Sequence, residues 1–379
     1  MATRLASAST ERTVVLPGGT LDIAVYDAAW PLDTLCDFAA RNNPRRGFLI
    51  VSKVLGRHIP TSPATMQASF DALAARLPAD LPGPVVFVGM AETAICLGLG
   101  VHAAYRTRTW RSDTLGLHTT RQRIDAEVVA TFEEPHSHAS AHLLYRPAEP
   151  AHRDLFNAAR TLVIVDDEVS TGTTIGNLAR ALAPVLPRLT RIATAVLTDW
   201  SGDGAWLRDM PAPATGVALL TGGLTWRSNG ATVAAGEPVA AGALGRLDAH
   251  VNYGRLGIAG PLAGVAARIA ALGLAPGQPV LVLGTGEFTW VPFLLAQAIA
   301  DAGHPVTMQA TTRSPVHVGG AIRSVLRFKD NYATGVPNFL YNAEAVAGRR
   351  VVICHETPAG SVDPALIDAL DATGAAFGA

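Results

Sequence analysis

The stretch Thr161-Leu-Val-Ile-Val-Asp166-Asp167-Glu168-Val-Ser170-Thr171-Gly172-Thr173-Thr174 decides the fold of this 379-residue chain. Four apolar, mostly β-branched residues predict a short buried strand. Two adjacent aspartates follow at its C-terminal end, and small hydroxyl residues then surround one glycine. From Ile175 to Leu182 the apolar residues recur at helical spacing. We therefore expect a strand, an acidic pair (Asp166 and Asp167), a small-residue turn and a helix.

The small-residue turn, Ser170 to Thr174, predicts an anion site. Its backbone N–H groups would point at the ligand, and the dipole of the following helix favours negative charge there. The acidic pair would repel a phosphate but suits ligand hydroxyls or a bridging metal. A ribose 5-phosphate, with a phosphate at one end and a vicinal diol nearby, meets both demands. An ordinary turn with chance acidic residues is the alternative.

Residues 162–174 resemble the phosphoribosyl-pyrophosphate (PRPP) loop of type I phosphoribosyltransferases. They form no Walker A loop, because no lysine follows the glycine. The resemblance implies a Mg²⁺-dependent enzyme that moves ribose 5-phosphate from PRPP to a small acceptor and releases diphosphate. In that reaction Asp166 and Asp167 are catalytic and bind the metal. The implied PRPP contacts in this loop are Glu168, Ser170, Thr171, Gly172, Thr173 and Thr174.

Composition and charge argue against several other classes of protein. Charged residues make up 16% of the chain and the formal net charge is −1, so no basic surface for nucleic acid is expected. Three widely spaced cysteines form no disulfide framework, which favours a reducing cytoplasm. The polar N-terminus resembles no signal peptide, and no apolar run is long enough to span a membrane.

A second strand and turn precede the PRPP-like loop. Pro84 to Gly89 predicts a buried strand, and by chain order the resemblance gives the turn after it a role in binding diphosphate. This pyrophosphate turn is Gly89, Met90, Ala91, Glu92 and Thr93. Further upstream, Lys53, Arg57 and His58 gather positive charge after a predicted strand, Gly47 to Ser52. They are candidate phosphate contacts, with solvated loop charges as the alternative.

Residues 106–148 occupy the position of the hood loop that closes over PRPP in type I enzymes. Glu134, His136 and His138 are candidate acid or base groups, and Arg121 is a further candidate contact for PRPP. The spacing of His136, His138 and His142 also resembles a metal pattern, which would suit a metal-dependent phosphatase or hydrolase. A plain polar loop is the remaining alternative.

Alternating strands and helices predict an α/β fold with a parallel sheet and with ligands at the carboxyl ends of its strands. We expect a type I phosphoribosyltransferase-like domain at residues 1–232 and a smaller Rossmann-like domain at 233–379. Short helices are predicted at Asp33 to Ala40 and at Pro261 to Leu274. The glycine turn after Pro279 to Leu283 lacks the third glycine of a dinucleotide site, so NAD binding is unsupported.

Thr312-Arg-Ser-Pro315 resembles the signature of the TRSP domain, which follows a phosphoribosyltransferase in tellurite-resistance-type gene clusters. Such clusters imply biosynthesis of a nucleotide-like metabolite from an acceptor that the sequence does not reveal. Candidate contacts in this half are Gly284, Gly286, Thr312, Arg313 and Ser314. A regulator that binds PRPP or a nucleotide without turnover is the other alternative. The oligomeric state stays open, with a homodimer as one candidate.

Overall fold

The apolar run that begins at Thr161 forms the centre of the larger sheet in the computed structural model, which describes residues 10–41, 46–133, 141–231, 245–247, 252–344 and 346–378. In chain order, the strands of the described residues are β1 (Thr10–Leu16), β2 (Gly19–Ala28), β3 (Cys36–Ala40), β4 (Phe48–Ser52), β5 (Val85–Gly89), β6 (Thr114–His118), β7 (Gln122–Arg123), β8 (Val128–Glu133), β9 (Ala141–Tyr145), β10 (Thr161–Val169), β11 (Arg191–Asp199), β12 (Ala214–Ser228), β13 (Gly245–Arg246), β14 (Val280–Gly284), β15 (Val306–Ala310), β16 (Val325–Lys329), β17 (Pro337–Tyr341), β18 (Arg350–His355) and β19 (Ala372–Ala376).

The helices are α1 (Leu32–Leu35), α2 (Pro63–Arg76), α3 (Ile95–Thr109), α4 (Pro150–Asn157), α5 (Thr173–Leu182), α6 (Trp290–Asp301) and α7 (Pro364–Leu370). Within the described residues, 3₁₀ helices cover Ala183–Val185, Ala205–Asp209 and Ala266–Leu272. None of the helices in the described part of the chain has both the length and the apolar character needed to cross a membrane.

The larger sheet has the strand order β1-β2-β12-β11-β10-β5-β6. The last five strands run parallel, and the hairpin β1–β2 pairs antiparallel with β12. Because both faces of a parallel sheet are covered, its strands are apolar along their length, and Leu162 to Val165 are fully buried. The α/β class with a parallel sheet is confirmed.

A second parallel sheet of four strands, in the order β15-β14-β18-β19, forms the C-terminal half. The two halves share one apolar core. Phe70 of α2 meets Phe293 of α6 edge to face, with ring centroids 5.2 Å apart. Thr61 also forms a β-bridge with Met308 of β15. The strand ends of one sheet are therefore held in a fixed place relative to those of the other.

Two of the predicted helices are wrong. The helix α1 ends at Leu35, and Cys36–Ala40 instead forms β3, which pairs antiparallel with β4. Strand pairing outweighs the helical spacing there, because Phe38, Ala39 and Ala40 are buried in this small sheet. Between Pro261 and Leu274 only Ala266–Leu272 is helical, as a 3₁₀ helix.

Candidate active site

One cavity of about 230 Å³ lies where strands of both sheets end. The turns after β5 and β10 form two of its walls, and the segment after β15 forms a third. The end of β4 and the loop after it contribute further side chains. The lining residues are Arg41, Arg46, Leu49, Ile50, Ser52, Arg57, His58, Met90, Ala91, Glu92, Thr93, Arg121, Asp166, Asp167, Glu168, Val169, Ser170, Thr171, Gly172, Thr173, Thr174, Ile175, Thr312 and Ser314.

The turn from Ser170 to Thr174, called the phosphate turn below, leads into the N-terminus of α5. Gly172 caps the helix in the left-handed conformation, with φ of 72°, and its carbonyl accepts the first helical hydrogen bond from Gly176 at 2.8 Å. A Cβ atom on Gly172 would lie 2.2 Å from the Trp206 ring, so only glycine fits. The first-turn amides of a helix have no helical acceptor, so an anion at this turn can accept from them.

The acidic pair lies on the cavity wall just before this turn. Asp166 accepts a hydrogen bond from the backbone N–H of Asp167 at 3.0 Å, which orients its carboxylate. The next residue, Glu168, forms an ion pair instead: Arg46 donates a hydrogen bond to its carboxylate at 2.5 Å. Two adjacent carboxylates and a helix N-terminus thus share one wall, as a sugar phosphate would require.

The pyrophosphate turn is tied to its neighbours through its backbone. Met90 donates to the carbonyl of Val165 at 3.0 Å, and Ala91 donates to the Thr119 hydroxyl at 2.8 Å. The Ala91–Glu92 peptide bond is cis. The Glu92 carboxylate lies 3.3 Å from Arg57 and 3.5 Å from Arg121. The two cations Arg57 and Arg121 therefore flank one carboxylate at this end of the cavity.

Arg57 is 3% exposed and joins the two halves. Its guanidinium donates to the carbonyls of Glu92 at 2.5 Å, Gly286 at 2.8 Å and Thr311 at 2.6 Å. Burial lowers the pKa of Arg57 below its usual value, while nearby carboxylates, Glu92 first among them, oppose that shift. Arg57 was predicted as a phosphate contact, and it also fixes the pyrophosphate turn against the second sheet.

The predicted hood loop, residues 106–148, contains the strands β6 to β9, and β8 pairs antiparallel with β9. The candidates Glu134, His136 and His138 lie outside the described residues. His142, on β9, is buried: its Nδ1 lies 3.1 Å from the Thr119 hydroxyl and its Nε2 lies 3.3 Å from Arg121. Among the described residues no group of three His, Cys, Asp or Glu side chains could hold a metal ion by itself.

Two family models match this chain. A model described as phosphoribosyl transferase matches residues 35–223, and a model described as the TRSP domain C-terminal to that transferase matches residues 254–370. The chain belongs to the TRSP-bearing phosphoribosyltransferases. Together the two matches span about four-fifths of its residues. No curated protein matches its sequence.

Solved structures similar to this phosphoribosyltransferase include three adenine phosphoribosyltransferases. The one from Rhodothermus marinus is 14% identical with a TM-score of 0.32, and covers 50% of this chain and 96% of its own. The Trypanosoma brucei enzyme, in complex with AMP, pyrophosphate and ribose-5-phosphate, is 12% identical with a TM-score of 0.33. The match covers 55% of this chain and 86% of the Trypanosoma brucei chain. The Giardia lamblia enzyme, with 9-deazaadenine, is 15% identical with a TM-score of 0.32. The match covers 51% of this chain and 98% of the Giardia lamblia chain. Likeness at this level carries no ligand over to this chain.

The remaining candidates, including Gly89 at the start of the pyrophosphate turn, are less uniformly placed. Among the described residues Lys53 and Gly89 lie outside the lining, and the Lys53 amine donates to the Asp33 carbonyl at 2.5 Å. Thr312 and Ser314 line the cavity. Gly284, Gly286 and Arg313 lie next to it: Gly284 ends β14, and Gly286 donates to the Thr311 hydroxyl at 2.8 Å.

Sequence analysis missed a buried ionic cluster behind the cavity. Arg255 forms a double hydrogen bond with Glu356, at 2.6 and 2.7 Å, and lies 3.4 Å from Glu287. Burial alone would lower the pKa of Arg255, but the charge and hydrogen bonds of Glu356 raise it above its usual value. Glu287 also accepts from the Arg121 backbone at 2.6 Å, and from Thr120. The partners are far apart in sequence, so no local pattern reveals them.

Proposed function

We propose that this phosphoribosyltransferase moves ribose 5-phosphate from PRPP to a small acceptor, with Mg²⁺ and with release of diphosphate. One observation carries the proposal: the acidic pair, the phosphate turn and the pyrophosphate turn line a single cavity. PRPP needs all three together, since it has a phosphate, a diol and a diphosphate on one sugar. We assign catalysis to residues 1–232 and a supporting role to residues 233–379.

The reaction we propose follows from the charges along that cavity. Amides of the phosphate turn hold the 5-phosphate, and Asp166 and Asp167 accept hydrogen bonds from the ribose hydroxyls. When the bond from C1 to diphosphate breaks, its electron pair leaves with the diphosphate oxygen, beside the cations Arg57 and Arg121. The acidic pair stabilises the positive charge that develops at C1. The acceptor then bonds to C1, and its proton passes to an oxygen of the departing diphosphate.

The donor atoms near the acidic pair fit Mg²⁺. Two carboxylates supply hard oxygen ligands, and Mg²⁺ commonly binds through one or two carboxylates together with waters and substrate phosphates. We assign the metal to Asp166 and Asp167, where it would neutralise charge on PRPP. No step in the reaction above depends on a particular metal geometry.

The place of the reaction in the cell is a further part of the proposal. All three cysteines are buried and unbridged, and burial raises the pKa of Cys36 to about 12, which suits a thiol kept inert in a reducing cytoplasm. The product would be a nucleotide-like metabolite, as the resemblance to cluster-encoded TRSP proteins implies.

Replacing the acidic pair tests the proposed function. In the double variant Asp166→Asn, Asp167→Asn we expect diphosphate release from PRPP, in a mixture of heterocyclic bases, to fall about 1000-fold. Calorimetry with PRPP and Mg²⁺ should show weaker binding. The double variant Asp154→Asn, Asp301→Asn changes two exposed aspartates and should behave as wild type. If the acidic-pair variant released diphosphate at the wild-type rate, this mechanism would be ruled out. Binding of PRPP by the wild-type protein without any release would favour a regulator instead.

A further inference from the structure

The second sheet reaches the cavity at the same end as the pyrophosphate turn. Thr311 and Thr312 follow β15, and the Thr311 carbonyl accepts from Arg57 at 2.6 Å. Arg57 in turn donates to the carbonyl of Glu92, in the pyrophosphate turn, at 2.5 Å. One guanidinium therefore spans the distance between the two segments, and the hydroxyl residues Thr312 and Ser314 line the cavity beside it.

The turn after β14 controls the second cation at this end. Glu287 is 4% exposed and accepts a hydrogen bond from the backbone N–H of Arg121 at 2.6 Å. It also accepts from the Thr120 hydroxyl. Burial alone would raise the pKa of Glu287, but Arg255 and the hydrogen bond from Thr120 lower it below its usual value. The backbone that carries Arg121 is thus held by a fixed anion of the second half.

Arg313 places a further cation beside these hydroxyls, and its charge helps to lower the pKa of Glu287. It is 9% exposed and lies between Thr312 and Ser314, and its Nη1 has no hydrogen-bond partner among the described residues. A buried guanidinium is costly unless an anion or an acceptor satisfies it. Next to two cavity-lining hydroxyls, this cation adds positive charge on the side of the cavity that we assign to an anionic group.

We propose that the second half completes the diphosphate end of the site. Glu287 is a positioning residue for Arg121, and the hydroxyls of Thr312 and Ser314 donate to oxygens of the diphosphate, beside the charge of Arg313. This inference rests on the proposed function and gives the TRSP half a direct part in binding PRPP. It predicts a ligand-specific effect, because ribose 5-phosphate lacks the diphosphate group.

Calorimetry on the full chain with Mg²⁺ and three ligands tests the proposal: PRPP, inorganic diphosphate and ribose 5-phosphate. For the double variant Thr312→Val, Ser314→Ala we expect about 100-fold weaker binding of PRPP and diphosphate, since each of the two lost hydrogen bonds to a charged group is worth about tenfold. Ribose 5-phosphate should bind within about twofold of wild type. The matched control is Thr373→Val, an exposed threonine on β19.

Glu287→Gln separates positioning from simple charge. Removing a carboxylate near the site would by itself tighten the binding of an anion. Loss of the fixed position of Arg121 would instead weaken the binding of diphosphate, which is the result we expect. The control Glu344→Gln removes a solvent-exposed carboxylate of the same half. If Glu287→Gln does not fold, the Thr312 and Ser314 variant decides the question alone.

Three results would overturn this inference. In the first, both variants bind diphosphate as the wild type does. In the second, a variant with a native unfolding profile loses all three ligands equally, which would make the second half a general scaffold. In the third, the wild-type protein binds none of the three ligands, and the proposed function then falls as well. The first two results leave the proposed function standing.

Discussion

The two ends of the cavity are built in different ways. The phosphate turn is one contiguous stretch, and its capping glycine and the helix it begins lie within a few residues of each other. The end beside the pyrophosphate turn, where we place the diphosphate, is assembled from both halves, through contacts such as Arg57 with Gly286 and Arg121 with Glu287. The first end is therefore a local structure, whereas the second depends on how the two sheets pack. Mutations at the two ends should differ in what they damage.

The largest effect on folding is expected at the assembled end. Arg255→Met leaves Glu356 and Glu287 buried without their cation, and breaking a buried ion pair in this way costs about 3–5 kcal/mol. Chemical denaturation should show a loss of that size in the free energy of unfolding. The double variant Arg255→Met, Glu356→Leu should recover part of the loss. A loss below about 1 kcal/mol in the single variant would mean that the cluster contributes little to folding.

Acid should also damage this packing. Burial, with a smaller effect of Arg57, lowers the pKa of His58 to about 3. Burial lowers that of His118 to about 4, helped by Arg255, and that of His102 to about 3, helped by Arg106. The unfolded chain takes up these protons near pH 6.5 and the folded chain does not, so stability falls as the pH falls below 6.5.

The expected loss is about 1 kcal/mol for each of the three histidines over the first pH unit below 6.5. Denaturation curves recorded between pH 7.5 and 5 measure it. If the free energy of unfolding stays constant across this range, these imidazoles take up protons at the same pH in the folded protein as in the unfolded chain. Variants of His58 with a neutral, similar-sized side chain, such as His58→Gln, should flatten the curve by about one third.

How much could be predicted depends on the same distinction. The sequence from Leu162 to Thr174 predicts its own strand, turn and helix start, because the apolar run, the small residues and the capping glycine all lie within that stretch. Cys36–Ala40 was predicted as a helix because its partner strand β4, which decides the matter, follows a separate loop. Arg57 was recognised as a cation near the site, but its carbonyl acceptors on Gly286 and Thr311 are 229 and 254 residues away. Helical or strand spacing holds no information about such contacts.

A variant of the phosphate turn should lose ligand binding, whereas a variant of the ionic cluster should lose stability. In Gly172→Ala the new Cβ meets the Trp206 ring and the left-handed backbone is disfavoured. We expect ribose 5-phosphate to bind about 30-fold more weakly, or about 2 kcal/mol, with little change for inorganic diphosphate. Gly202→Ala is the matched control, because Gly202 also has positive φ, at 81°, but has open space around it. Equal loss of both ligands in Gly172→Ala would mean that the two ends are not independent.

The smallest effect should come from a single hydroxyl of the phosphate turn. Thr171 is exposed, and its hydroxyl lies 2.9 Å from that of Thr173. Because the backbone amides supply most of the phosphate contacts in our proposal, Thr171→Val should weaken ribose 5-phosphate binding by about 1 kcal/mol and leave stability unchanged. Calorimetry on this variant and on Thr215→Val, an exposed threonine of β12, measures the difference. A loss as large as that of Gly172→Ala would show that side chains, rather than the turn's backbone, hold the phosphate, and the distinction between a local and an assembled end would then weaken.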